Sequence, residues 1–235
     1  MLTEDQIESF YRDGYIIARG LVDLDAVNRV IAAGHAKYGD NAGGAGWKAA
    51  IFEHTNPEKD ANVHELLRHP AIVGAVAQIF EQAPRVYYGM LAVVPANGGK
   101  GLPWHQDNQY DQVQGRALNC FVALSEITPE KANLWVAPKT HLLGTQPSKA
   151  SDDYGAGHKQ AAAEPENGIP LPTLHPGDVV IFDRNTYHRS LKNETDTDRY
   201  AYAAQYQAAD ARDVNGKKDP LKMLVTDLEA RLAAK

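Results

Sequence analysis

Between Arg85 and Gln207 the chain alternates short β-branched and aromatic runs with turn signals, and this constrains the fold more than any other feature. The runs read as strands over 86–94, 102–107, 117–124, 133–137, 171–174, 178–183, 187–191 and 199–207. Eight short strands after an N-terminal helical part suggest a double-sheet jelly roll with helices packed outside. The preceding part has helical periodicity. Thr3 and Gln6 form a capping box, Ile7, Phe10 and Tyr11 follow at helical spacing, and Gly14 ends the run. Tyr15-Ile16-Ile17-Ala18 reads as a short strand, and Asp23 or Asp25 begins a second helix. Val63 to Phe80 reads as one or two helices broken near Pro70. Asp219 to Ala234 reads as a last helix, with Leu221, Leu224, Leu228 and Leu232 in one stripe. The expected fold is mainly β with flanking helices around a cupin-like, double-stranded β-helix core. One domain would span 1–235: a mainly helical part over 1–84, the jelly-roll core over 85–207 and a helical end over 208–235.

The core strands carry the chemistry. His105 and Asp107, within Trp104-His105-Gln106-Asp107, are two apart, so on a strand both would point to one face. His188 lies one short turn beyond the apolar body Val179-Val180-Ile181-Phe182. Two imidazoles and one carboxylate leave one face of a metal open, which is the ligand set of non-heme Fe(II) oxygenases. Arg199 begins the next strand, after a turn at Asn193-Glu194-Thr195-Asp196. On that strand Arg199, Ala201, Ala203 and Gln205 share one face, which reads as a cavity wall. Tyr200, Tyr202, Ala204 and Tyr206 share the other, which reads as a packing face. A guanidinium among small neighbours could hold a carboxylate bidentately, with Ser190 donating a hydroxyl. The competing reading pairs Arg199 with Asp196 or Asp198 at the surface.

Composition narrows the partners. A net charge of -6 with no basic stripe argues against nucleic acid. The single cysteine, Cys120, excludes an internal disulfide and sits in an apolar run, where it reads as a small buried hydrophobe. No apolar run is long enough to span a bilayer, and the polar start lacks the features of a signal peptide. A soluble, cytoplasmic protein acting on a small molecule is expected, with its oligomeric state open. The glycine-rich stretch 39–48 reads as a surface loop or an active-site flap. Residues 148–170 read as a structureless insert, either a lid or a surface excursion. The remaining histidines, His158 among them, sit singly and read as solvated or locally bonded. Trp47, Tyr110 and Trp135 are candidates to shape a pocket.

The chain resembles the phytanoyl-CoA dioxygenase family of Fe(II)/2-oxoglutarate oxygenases over about residues 2–207. The resemblance rests on Leu2-Thr3-Glu4-Asp5-Gln6 with Gly14-Tyr15, on Trp104-His105-Gln106-Asp107, and on Gly177-Asp178-Val179-Val180-Ile181-Phe182 with His188, Ser190, Asn193 and Arg199. It implies that His105, Asp107 and His188 bind Fe(II), and that Arg199, helped by Ser190, binds the distal carboxylate of 2-oxoglutarate. Tyr88 and Trp104 are candidates for its 2-oxo acid end. The implied reaction consumes O2, releases succinate and CO2, and hydroxylates the substrate. The family's Asn-Gly and Pro-Gly-Ser-His are replaced here by Lys131-Ala132 and Pro138-Lys139-Thr140-His141. Two other readings remain open. One is a non-catalytic protein that keeps the metal and 2-oxoglutarate site. The other is a cupin-like metalloenzyme without 2-oxoglutarate, which would have no need of Arg199.

Overall fold

The computed structural model describes residues 1–38, 48–53, 55–153, 155–214 and 223–234. Its largest sheet has seven antiparallel strands. The order across it is Tyr15–Ala18, Val179–Asp183, Ala117–Ala123, Arg199–Gln207, Arg85–Val94 and Met223–Leu224, with Lys48–Ile51 also paired to Arg85–Val94. A second sheet joins His188–Ser190, Leu134–Val136 and Ile169–Pro170. Phe121, Val180 and Phe182 of the first sheet and Leu134, Val136 and Leu174 of the second side share one core, as a jelly roll requires.

Helices cover the outer face of the large sheet. The first, α1 (Glu4–Asp13), carries the Thr3/Gln6 capping box and ends at Gly14 with φ 83, a left-handed turn that suits glycine. α2 (Leu24–Tyr38) and α3 (Pro70–Phe80) follow. α3 has its proline in the first turn, where the missing N–H costs nothing, after a 3-10 turn over Glu65–Arg68. The tyrosine face of the Arg199–Gln207 strand packs here. Tyr206 donates to the Leu67 carbonyl at 3.0 Å, and the Tyr202 hydroxyl meets His64 Nδ1 at 2.8 Å. Cys120 is fully buried, and burial pushes its thiol up.

The expected strands over 86–94, 117–124, 133–137, 178–183, 187–191 and 199–207 are present within a residue or so at each end. Others are not. The segment 102–107 makes one antiparallel bridge, His105 to His188, and then turns at Asp107–Gln109. Pro103 has no N–H to give, and the Leu102 N–H is taken by the Ser190 hydroxyl at 2.9 Å, so no ladder extends. The strand expected over 171–174 is reduced to Ile169–Pro170 and a lone bridge from Leu174 to Ile127, because Pro170 and Pro172 interrupt the donors. The supposed structureless insert 148–170 holds a hairpin, Ser148–Ser151 with Gly155–Ala161. Most of its described side chains are exposed or half-exposed, so no core-facing alternation marks it in the sequence. The last helix, α4 (Val225–Ala233), starts later than expected, because Met223 and Leu224 pair with Val86 and Arg85. Leu221, Trp47 and nearly all of the 39–48 stretch lie outside the described residues.

Candidate metal centre and its two compartments

His105 and His188 exchange both backbone hydrogen bonds, each at 3.0 Å. Residues paired in this way stand opposite one another with side chains on one face, and the two rings lie 4.2 Å apart between centroids. Asp107 reaches the same space by the turn rather than by strand alternation, since the Gln109 and Tyr110 N–H groups close onto the Gln106 and Asp107 carbonyls at 3.0 and 3.2 Å. Asp107 Oδ1 stands 3.9 Å from His105 Nε2 and 3.7 Å from His188 Nε2. One donor atom from each of the three residues falls within 4.8 Å of the others, and all three residues are buried.

The other atoms of these side chains are already committed. His105 Nδ1 meets the Pro103 carbonyl at 2.8 Å, and His188 Nδ1 meets the Thr186 carbonyl at 3.0 Å. A carbonyl only accepts, so both Nδ1 atoms carry the proton and both Nε2 atoms present a lone pair. Burial, then the neighbouring His188, pushes the His105 imidazole down, which favours its neutral form. Asp107 Oδ2 accepts from Asn119 Nδ2 at 2.9 Å and from Gln205 Nε2 at 3.1 Å, which leaves Oδ1 facing the histidines. Two neutral imidazole nitrogens and one carboxylate oxygen, each oriented by a second hydrogen bond, fit a divalent iron.

On one side of this set lies a small compartment of about 80 Å³, bounded by His188, Asn119, Phe121, Ser190 and Arg199. The Asn193 turn brings Arg199 here. The Asn193 side chain donates to the Val94 and Thr197 carbonyls and accepts from Thr195, and it is fully buried. Arg199 is 2% exposed, its Nε has no hydrogen-bond partner, and burial pushes the guanidinium down to about 10. It pairs with neither Asp196 nor Asp198, since Asp198 accepts from the Ala96 N–H and from Tyr200. The Ser190 hydroxyl faces the same compartment while accepting from Leu102.

On the other side is a chamber of about 540 Å³. Tyr87, Tyr88, Tyr110, His158 and Arg184 line it, and Met90, Leu102, His105, Asp107 and Gln205 are shared between the two spaces. Tyr88 therefore belongs to the larger space, with its hydroxyl on Met90 Sδ at 3.3 Å and its phenol pushed up by burial. Trp104 lines neither. As the residue before His105 it points away from the histidine pair into a small buried cluster with Ala137, Ala161 and Tyr187, where Arg189 lies over its ring at 4.9 Å and over Trp135 at 4.5 Å. Trp135 is thereby also removed from the pocket. Three contributors escaped the sequence reading. Asn119 is the one polar residue in Ala117–Ala123, an irregularity that could have flagged it. Arg184 continues the inward alternation of Val180 and Phe182 beyond the apparent strand end. His158 gave no signal, because its hairpin buries only Ser151 and Ala161 at its ends, too few to set an alternation.

A jelly roll with a buried His/Asp/His cluster beside an unpaired arginine defines the non-heme iron, 2-oxoglutarate class of oxygenase. Residues 10–201 match the family model described as phytanoyl-CoA dioxygenase, and the chain belongs to that family. It is 27% identical over 219 residues to an ectoine dioxygenase of Bordetella bronchiseptica, covering 82% of this chain and 71% of the relative. Among solved structures it is similar to EvdO2 from Micromonospora carbonacea var. aurantiaca complexed with 2-oxoglutarate, with TM-score 0.77, 24% identity, and 94% and 96% of the two chains covered. It is similar as well to the epimerase SnoN in complex with Fe3+ and alpha ketoglutarate, with TM-score 0.71, 21% identity, and 94% and 93% covered. The chain is thus a non-heme Fe(II)/2-oxoglutarate-dependent dioxygenase, with O2 as co-substrate. Among the described residues no helix is long and apolar enough to cross a membrane.

Proposed function

We propose that this enzyme hydroxylates a small-molecule metabolite, with His105, Asp107 and His188 holding Fe(II) and Arg199 holding the distal carboxylate of 2-oxoglutarate. The observation that carries this reading is the buried, unpaired Arg199 guanidinium in a compartment that shares the Asp107 wall with the histidine pair. A buried cation without a counter-ion is costly, and a carboxylate ligand relieves that cost. Ser190 lies within the same compartment as a second donor. When bound, Fe(II) with 2-oxoglutarate and O2 supplies the oxidising power, one oxygen atom leaving in succinate and the other going to the substrate.

The protein's own part is orientation and exclusion of water. The Pro103 and Thr186 carbonyls fix the imidazole tautomers, and Asn119 with Gln205 fixes the Asp107 carboxylate. A carboxylate at position 107 favours hydroxylation over halogenation, which would need that position vacated. The larger chamber supports a metabolite-sized substrate, being within the usual volume of small-molecule sites. The need for 2-oxoglutarate and ferrous iron favours a cytoplasmic setting.

The test is anaerobic addition of Fe(II) and 2-oxoglutarate, in wild type and in His188→Ala, with the visible metal-to-ligand charge-transfer band as readout. The band is expected in wild type and lost in the variant. Iron bound without a band would replace this reading with metal chemistry independent of 2-oxoglutarate. A band with no succinate release from any substrate under O2 would leave a binding protein.

A further inference from the structure

Arg184 grips one peptide of the Asp107 turn from both edges. Asp107 and Asn108 share a trans peptide bond, so the Asp107 carbonyl and the Asn108 N–H point in opposite directions. The Asn108 N–H donates to the Arg184 backbone carbonyl at 3.1 Å, and Arg184 Nη2 donates to the Asp107 carbonyl at 2.9 Å. Arg184 is itself seated on the large sheet. It follows the Val179–Asp183 strand, and its N–H donates to the Ala117 carbonyl at 3.1 Å. Its guanidinium is buried and lies over the Tyr87 ring, 4.0 Å from the centroid, a contact that limits its freedom to swing. Two residues beyond Ala117, Asn119 donates to Asp107 Oδ2 at 2.9 Å. The backbone and the carboxylate of Asp107 are thus both referred to the Ala117–Ala123 strand. The Tyr110 N–H shares the Asp107 carbonyl at 3.2 Å, but it belongs to the turn and does not set the turn's angle to the sheet.

We propose that Arg184 is a positioning residue: it sets the direction of the Asp107 carboxylate, so that one oxygen faces both histidines while the other stays on its amide donors. This rests on the reading that Asp107 holds the metal, and deepens it. A bond from a guanidinium is charge-assisted and stronger than the neutral bond that closes the turn. Burying a guanidinium is costly, and here that cost falls on the peptide next to a metal ligand. Without the Arg184 donor the peptide is free to rotate about its remaining grip. The Cβ of Asp107 moves with it, and Oδ1 leaves its place 3.7 Å from His188 Nε2 and 3.9 Å from His105 Nε2. Arg184 touches neither histidine in this account and acts on the metal site through Asp107 alone.

The experiment titrates the full-length apo-protein anaerobically with Fe(II), and in parallel with Co(II), whose visible ligand-field bands report the coordinating carboxylate. Arg184→Met keeps the stem and removes the donors. It is expected to weaken Fe(II) binding about ten- to hundredfold, the usual effect of losing a group that orients a ligand, and to shift the Co(II) bands at saturation. Arg184→Lys returns one charged donor and should recover part of both. A merely structural role would lower the thermal stability of the metal-free protein and leave Fe(II) affinity and the Co(II) bands at their wild-type values; that result would overturn the inference. A loss in Arg184→Met that Arg184→Lys does not relieve would overturn it as well. Should Arg184→Met not fold, Tyr87→Leu decides: with the guanidinium freed from the ring beneath it, Fe(II) binding should weaken, and unchanged binding would overturn the inference. His188→Ala separates the two levels. If it keeps wild-type Fe(II) affinity, the metal assignment itself fails; if it loses iron while Arg184→Met keeps it, only the role of Arg184 fails.

Discussion

The two compartments that meet at Asp107 are built by different means. The inner one is walled by paired strands. His105 and His188 exchange both backbone bonds, Arg199 opens a strand paired to Arg85–Val94, and Asn119 stands in the next strand over. The outer one is bounded partly by the turn at Asp107–Gln109 and by the hairpin Ser148–Ser151/Gly155–Ala161, which brings Gly157 and His158 to its edge. Ladders fix side-chain direction to within a pleat, whereas turns and a two-stranded hairpin open at lower cost. The difference suits the proposed division of labour: a rigid seat for one co-substrate and a more adaptable one for a metabolite.

The largest effect should come from Arg199→Ala. Its charge-assisted bonds to a carboxylate are worth about 2–4 kcal/mol, so the apparent requirement for 2-oxoglutarate should rise steeply. Succinate formation against 2-oxoglutarate concentration measures it. An unchanged requirement would remove Arg199 from the site.

Asn119→Leu should act on the wall between them. It deletes one of the two amide donors on Asp107 Oδ2 and leaves Gln205 to hold the carboxylate alone. Outer hydrogen bonds of this kind typically change metal affinity by about 10–100-fold. Anaerobic titration of the apo-protein with Fe(II) should show a loss of that order with the protein still folded. Unaltered affinity would mean that the Asp107 turn alone sets the ligand.

The same contrast explains what was legible in the sequence. The inner wall was readable because strand periodicity projects alternate residues to one face: Arg199, Ala203 and Gln205 line the cavity, Ala201 on the same face is buried in the core between the sheets, and the tyrosines pack under the helices. His105 and Asp107 do converge, though by a bridge followed by a 3-10 turn, so the i, i+2 reasoning reached the right pair by an incomplete route. The same alternation, applied to Trp104, points it away from the iron site. The outer wall was harder to read. Arg184 sits just past a strand end, and the hairpin has too little burial to imprint a pattern. Prolines 103, 170 and 172 cut strands that looked continuous by hydropathy alone.

The mildest prediction concerns how firmly that outer wall is held. The Tyr110 hydroxyl accepts the Lys159 N–H at 3.0 Å, joining the turn after Asp107 to the hairpin. The Ala161 N–H to the Trp104 carbonyl at 2.7 Å and Lys100 to Asp153 at 2.6 Å reach across as well. The last is exposed on both sides and contributes little. Tyr110→Phe keeps the ring, and with it the edge-to-face contact on His105 at 5.9 Å, but removes the acceptor. The loss should be about 1 kcal/mol of local stability, roughly a fivefold rise in opening of the hairpin. Amide hydrogen exchange over 155–161 should speed up by that factor, while exchange in Arg199–Gln207 and the 2-oxoglutarate requirement stay unchanged. If the hairpin exchanges no faster, the Ala161 bond governs it, and the outer wall is as firmly held as the inner one.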